Sequence, residues 1–212
     1  MYLLSFDIGI KNLAFCYSQD TKVIEWDVFD ISGDSVNDTC EKCMLKLEEA
    51  FANKLIDKVL IENQPVQKNP TMKTIQIVVF SYFLYKKAIR SDGIEGIHFV
   101  SASKKNKLAK SFDVTIPDGG SAYSRAKKMS VKAVASLIEN TEWESFFNSH
   151  KKKDDLADSY LQLLSYIDFK PVQAHQEVLQ APVLPNPPSP REVDSSDSTS
   201  TTSQQEILVK MS

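Results

Sequence analysis

The sequence is poor in the residues that mark several common classes of protein. Its three cysteines (Cys16, Cys40, Cys43) are few and odd in number, which argues against a disulfide scaffold and for a reducing compartment. His98, His150 and His175 are isolated, so no histidine sits at a useful spacing from a nucleophile or a second metal ligand. No apolar run approaches the roughly 18 residues needed to cross a bilayer. The opening Tyr2-Leu3-Leu4-Ser5-Phe6-Asp7 has neither a basic leader nor an Arg/Ser-rich presequence, so a soluble chain without a secretory or transit signal is expected. A charge excess is missing too: 25 Lys+Arg stand against 28 Asp+Glu, a net of -3 over 212 residues. Averaged over the chain, that balance argues against a nucleic-acid binder. Its distribution argues the opposite.

Six of the nine prolines fall after residue 170, followed by a Ser/Thr/Asp run from 194 to 203. Such composition buries too little apolar surface to offset chain entropy. Residues 171–212 are therefore expected to be a disordered tail, of unknown partner, behind a folded domain of 1–170. The tail carries a net of -3, which leaves 1–170 neutral. Within that domain, residues 101–132 hold eight bases and two acids, the local excess a phosphate-binding surface needs. A solvated helical face is the plainer explanation of a lysine run by itself.

Apolar patterning predicts three antiparallel strands over Leu3–Ile8, Leu13–Ser18 and Val23–Phe29, then a helix over Thr39–Lys54 and a buried strand over Lys58–Glu62. A helix over Thr71–Arg90, a strand over Ile97–Ser101 and helices over Ser124–Asn140 and Asp154–Ile167 follow. Strands first, then strands alternating with helices, define an α/β domain with a mixed sheet.

Asp7 and Glu62 stand where apolar strands give way to polar sequence, the usual place for functional groups in α/β folds. Asp155 and Asp158, three apart in the first turns of the last predicted helix, share a face. Helix-end stabilisation alone would account for that pair. Brought together, four carboxylates repel unless hard cations neutralise them. An all-oxygen set favours Mg²⁺ or Mn²⁺ over zinc, and two such ions about 3.5–4 Å apart suit phosphodiester hydrolysis.

The motifs have a precedent. Phe6-Asp7-Ile8-Gly9-Ile10-Lys11-Asn12 resembles the first-strand motif of the RuvC-like Holliday junction resolvases, particularly the poxvirus-type branch of large DNA viruses. Ile61-Glu62-Asn63-Gln64-Pro65 resembles their second acidic motif, and Tyr123–Val131, with its Arg125-Ala126-Lys127-Lys128 core, is similar to their basic helix. Asp154-Asp155-Leu156-Ala157-Asp158-Ser159 resembles their terminal D-x-x-D helix. The resemblance implies a ribonuclease-H-like mixed sheet flanked by helices, acting as a homodimeric, Mg²⁺-dependent endonuclease that resolves four-way DNA junctions by paired cuts. If the chain is viral, it would act in the host cytoplasm or nucleus. By motif position, Asp7, Glu62, Asp155 and Asp158 would bind metal, with two ions per site. Lys128, or its neighbour Lys127, would contact the scissile phosphate. Lys11, Lys104, Lys105, Arg125 and Lys127 are the expected DNA contacts.

Two other readings share these features: a ribonuclease-H-type nuclease on RNA–DNA hybrids, and a non-catalytic binder of branched DNA. The intact carboxylate set argues against the second, since a binder gains nothing from negative charge beside phosphate. Cys40-x-x-Cys43 lacks a second ligand pair and reads as structural. Cys16, Tyr82, Phe83, Tyr85, Trp143, Phe146 and Phe147 read as packing residues, the tyrosine-rich helix also serving as a possible dimer seam.

Overall fold

The alternation of apolar residues in the first strand sets up two cores. Leu4 and Phe6 face one side of the sheet and Leu3 and Ser5 the other, all fully buried. In the computed structural model, which describes residues 1–67, 69–112, 114–116 and 120–171, five strands form one mixed sheet in the order β3-β2-β1-β4-β5. β1 (Tyr2–Asp7), β2 (Leu13–Gln19) and β3 (Lys22–Phe29) are antiparallel, while β4 (Lys58–Glu62) and β5 (Gly96–Val100) run parallel to β1. This is the expected α/β architecture with its mixed sheet. The tail expected over 171–212 lies, beyond residue 171, outside the described residues.

On the Leu4 and Phe6 face lie α1 (Val36–Phe51) and α2 (Pro70–Tyr85), which contribute Cys43, Leu47, Phe51, Val79 and Phe83 to the core. α1 begins three residues earlier than its apolar spacing predicts because the Ser35 hydroxyl accepts from the Asp38 amide at its N-terminus. α2 is continued by a π-helical turn, Lys86–Arg90. The buried Lys86 ammonium donates to the Phe51 and Ala52 carbonyls at the end of α1, at 3.1 and 2.8 Å. It thereby supplies positive charge where the helix dipole is negative.

The opposite face carries α3 (Ala102–Lys110), α4 (Ala122–Leu137), α5 (Trp143–Ser149) and α6 (Lys153–Tyr166). α6 lies directly on the sheet. Trp26 of β3 stacks on Phe147, ring centroids 5.3 Å apart, and its Nε1 donates to the Leu156 carbonyl at 3.0 Å and the Ser159 hydroxyl at 3.1 Å. Deeper in, Gln162 Nε2 donates to Ser5 Oγ at 3.0 Å and to the Phe6 carbonyl at 3.1 Å. These contacts fix how far along β1 the helix sits, and so where its first turns end up. Among the described residues, no helix is long and apolar enough to cross a membrane.

Candidate active site

Strand parity puts the first two carboxylates together. Ser5 faces α6, so Asp7 two residues on does too. In β4, Val59 and Ile61 join the α1/α2 core, which turns Glu62 to the α6 face. β1 and β4 are parallel with Phe6 opposite Ile61, so Asp7 and Glu62 emerge side by side where the strands end. Gly9 makes the exit tight: a Cβ there would lie 2.3 Å from the Asn12 carbonyl oxygen, closer than any side chain tolerates.

α6 supplies the second pair. Asp155, Asp158 and Gln162 follow the i, i+3, i+7 spacing of one helix face. Gln162 is clamped at β1, so Asp158 and then Asp155 lie above the strand-end carboxylates. Together they line a cleft of about 320 Å³. The expected grouping of Asp7, Glu62, Asp155 and Asp158 is thus what the structure brings together.

Two lysines reach into the cleft. Lys105, on α3 just past β5, is 4% exposed, and its Nζ stands 3.0 Å from Asp7 Oδ1, 3.2 Å from Glu62 Oε1 and 3.0 Å from Asp158 Oδ2. Burial alone would lower the Lys105 ammonium, but the charges of Asp7, Asp158 and Glu62 outweigh it and hold it above the ordinary lysine range. Lys127, on α4, pairs with Asp154 and stands 3.4 Å from Asp155 Oδ1. Its ammonium too is raised, burial again opposing and the two aspartates prevailing.

The remaining expected residues lie elsewhere. Lys128 is exposed: helical geometry puts it about 100° around α4 from Lys127, and Lys127 is the one on the cleft side. Lys11, Lys104 and Arg125 are also exposed outside the carboxylate cluster, with Arg125 donating to the Gly120 carbonyl at 2.8 Å.

Negative charge in the cleft is under-compensated. Burial pushes the Asp7 carboxyl up to about 8, Lys105 opposing and the adjacent Glu62 adding to the rise. Burial, with Asp154 and Asp7 nearby, lifts Asp155 to about 6. Asp158 is raised as well, mainly by burial, and its buried Oδ1 has no hydrogen-bond partner. An all-oxygen donor set, excess negative charge and an orphaned carboxylate oxygen fit a hard divalent cation. Yet among the described residues no three acidic, histidine or cysteine side chains stand ready as metal ligands, and Lys105 Nζ lies between Asp7, Glu62 and Asp158.

Sequence reasoning did not find Gln162, Gln64, Ser130 or the part played by Tyr123. Gln64 Nε2 donates to Glu62 Oε2 at 3.1 Å and orients it. Ser130 is buried on α4 alongside Asp158. Tyr123, 71% exposed, stands at the cleft mouth with the Lys127 Nζ 5.4 Å from its ring centroid. Ser130 three residues after Lys127, and Gln162 four after Asp158, are the periodic signals that point to them.

No protein-family model matches the chain. It is 33% identical over 132 residues to an uncharacterised protein of Acanthamoeba polyphaga mimivirus, a stretch covering 58% of this chain and 32% of that one. The chain thus spans about a third of the length of that curated relative. Among solved structures, the yeast mitochondrial Holliday junction resolvase Ydc2 superposes with a TM-score of 0.55 at 20% identity, over 82% of each chain. The fowlpox virus resolvase, solved with substrate Holliday junction DNA, gives 0.53 at 22% identity over 79% of this chain and 97% of that one. Thermus thermophilus RuvC, in complex with a Holliday junction substrate, gives 0.50 at 13% over 79% and 95%. The chain has the ribonuclease-H-like fold of the RuvC-type resolvases, as its motifs led one to expect.

Proposed function

We propose that this protein is a metal-dependent, structure-selective endonuclease that resolves four-way DNA junctions by paired phosphodiester cleavage. The observation that carries this reading is the convergence of four carboxylates, from β1, β4 and α6, in a cleft flanked by lysines on a fold shared with Holliday junction resolvases. Asp7, Glu62, Asp155 and Asp158 would hold Mg²⁺, or Mn²⁺ in its place, at two ions per site. Bound there, such an ion would supply Lewis-acid polarisation of the phosphodiester and activation of the attacking water.

The chain's own groups do the rest. Lys127, at the inner side of the basic helix and held there by Asp154 and Asp155, offsets charge that builds on the phosphate during attack, an electrostatic role that preorganisation makes effective. Lys105, expected as a DNA contact, is instead buried as the second cleft lysine, its ammonium on Asp7, Glu62 and Asp158. Gln64 keeps the Glu62 carboxylate turned inward. The exposed Lys11, Lys104, Arg125 and Lys128 take the flanking backbone, as salt-dependent phosphate contacts.

Paired cuts need two active sites related by a two-fold axis. Ile77, Leu84 and Tyr85 of α2 and Ile89 of the following turn leave large apolar side chains exposed, Ile89 at 69%, and this face is where a second copy would dock. The mimivirus relative favours a viral setting, with action in the host cytoplasm or nucleus.

The test is cleavage of a synthetic four-way junction, a linear duplex and an RNA–DNA hybrid, each with Mg²⁺ and with chelator. Metal-dependent paired nicks confined to the junction are expected. Cutting of the hybrid alone would move the function to RNA removal, and binding without cutting would make the protein a junction binder.

A further inference from the structure

Lys105 is placed as a cation, not only as a lysine. Its ammonium has three N–H donors, and three carboxylates from three different elements each take a position 3.0–3.2 Å away. Asp7, Glu62 and Asp158 are three of the four groups assigned above to the divalent ion. Magnesium binds carboxylate oxygens at about 2.0–2.1 Å. An ion drawing on these three side chains would stand in the space that Nζ fills, and two cations do not share it.

We infer that Lys105 is the resident cation of the metal-free cleft and is exchanged for the divalent ion when metal binds. The inference rests on the metal reading above and deepens it. In the metal-free protein, Lys105 holds together carboxylates that would otherwise repel across the ends of β1, β4 and α6. As metal enters, the ammonium leaves for the open side of the cleft, where a DNA phosphate is the counter-charge on offer. Metal loading is then easier on DNA than off it, because the phosphate gives the expelled ammonium a partner. Lys105 acts in this exchange as a positioning residue.

The experiment follows the Lys105 ammonium itself, by ¹H–¹⁵N NMR of lysine side chains in the full chain. Shielded by burial and three carboxylates, its protons should exchange slowly with water and give a signal in chelator, assigned by correlation to the α3 backbone. The signal is expected to fade in step with Mg²⁺ saturation, which shifts of the Asp7 and Asp158 amides report. A signal that survives saturation overturns the exchange. Calorimetry with Mn²⁺ and no DNA gives the second reading. Lys105→Met is expected to melt lower in chelator yet bind Mn²⁺ about tenfold tighter or more, and unchanged or weaker binding contradicts the inference. If that variant does not fold, the NMR result on the unaltered protein decides alone. Failure of the metal reading looks different: the unaltered protein would then show no saturable Mn²⁺ binding, or binding that Asp158→Asn leaves untouched.

Discussion

At the scale of single residues, the cleft is a site held together against its own charge. Burial lifts Asp7 from its ordinary 3.8 to about 8 and Asp155 to about 6. A carboxyl raised in this way holds its proton more tightly folded than unfolded, so its contribution to stability is full in acid and is lost as pH climbs from about 4 towards 8. Lys105 and Lys127 are charged in both states across that window and add no slope. In chelator, the melting temperature is therefore expected to fall between pH 5 and 8, and less steeply for Asp7→Asn. An equal slope in that variant would mean that another group titrates. Asp154, outside the D-x-x-D register, pairs with Lys127. Asp154→Asn is expected to keep metal binding, read by Mn²⁺ calorimetry, while Lys127 retains only Asp155.

At the scale of elements, α6 positions half the site and is itself positioned by two side chains. Gln162→Leu removes the donor to Ser5 and Phe6 and is expected to cost about 1–3 kcal/mol, measured by denaturant unfolding. It should also lower cleavage at an unchanged affinity for junction DNA. The elements that place the acids were legible in the sequence: β1 and β4 end their apolar runs on Asp7 and Glu62, and α6 has its D-x-x-D spacing beside an apolar stripe. α3 was not. Its nine residues include Lys104, Lys105, Lys107 and Lys110 against only Leu108 and two alanines, so the segment reads as a basic patch instead of an amphipathic helix. The central place of Lys105 was hidden for the same reason, since only the packing of α3 on α6 turns one lysine of four inward. α5 is a single short helix whose Trp143, Phe146 and Phe147 read as core, and they gather around Trp26. The Lys127/Lys128 choice likewise depends on the rotation of α4, which a doubled lysine leaves open.

At the scale of the whole molecule, the account needs two copies and one folded domain. Tyr85 is 53% exposed beside Leu84, so it is not the packing residue that helical spacing suggested; its helix turns it outward. Leu84→Glu together with Tyr85→Glu is expected to give a monomer by sedimentation, which nicks a junction without pairing the cuts. A dimer of unchanged mass would place the seam elsewhere. α6 closes the core by Tyr166, so a chain ending at residue 171 should fold and cleave as the full chain does.

The most direct test of the central claim is single-turnover cleavage of one four-way junction by the unaltered protein and by Asp158→Asn, in Mg²⁺, with junction binding measured in parallel. The account predicts paired nicks from the first, and unimpaired binding with no cleavage from the second. Cleavage at an equal rate by Asp158→Asn would contradict it, because hydrolysis would then not depend on the carboxylate cluster that β1, β4 and α6 assemble.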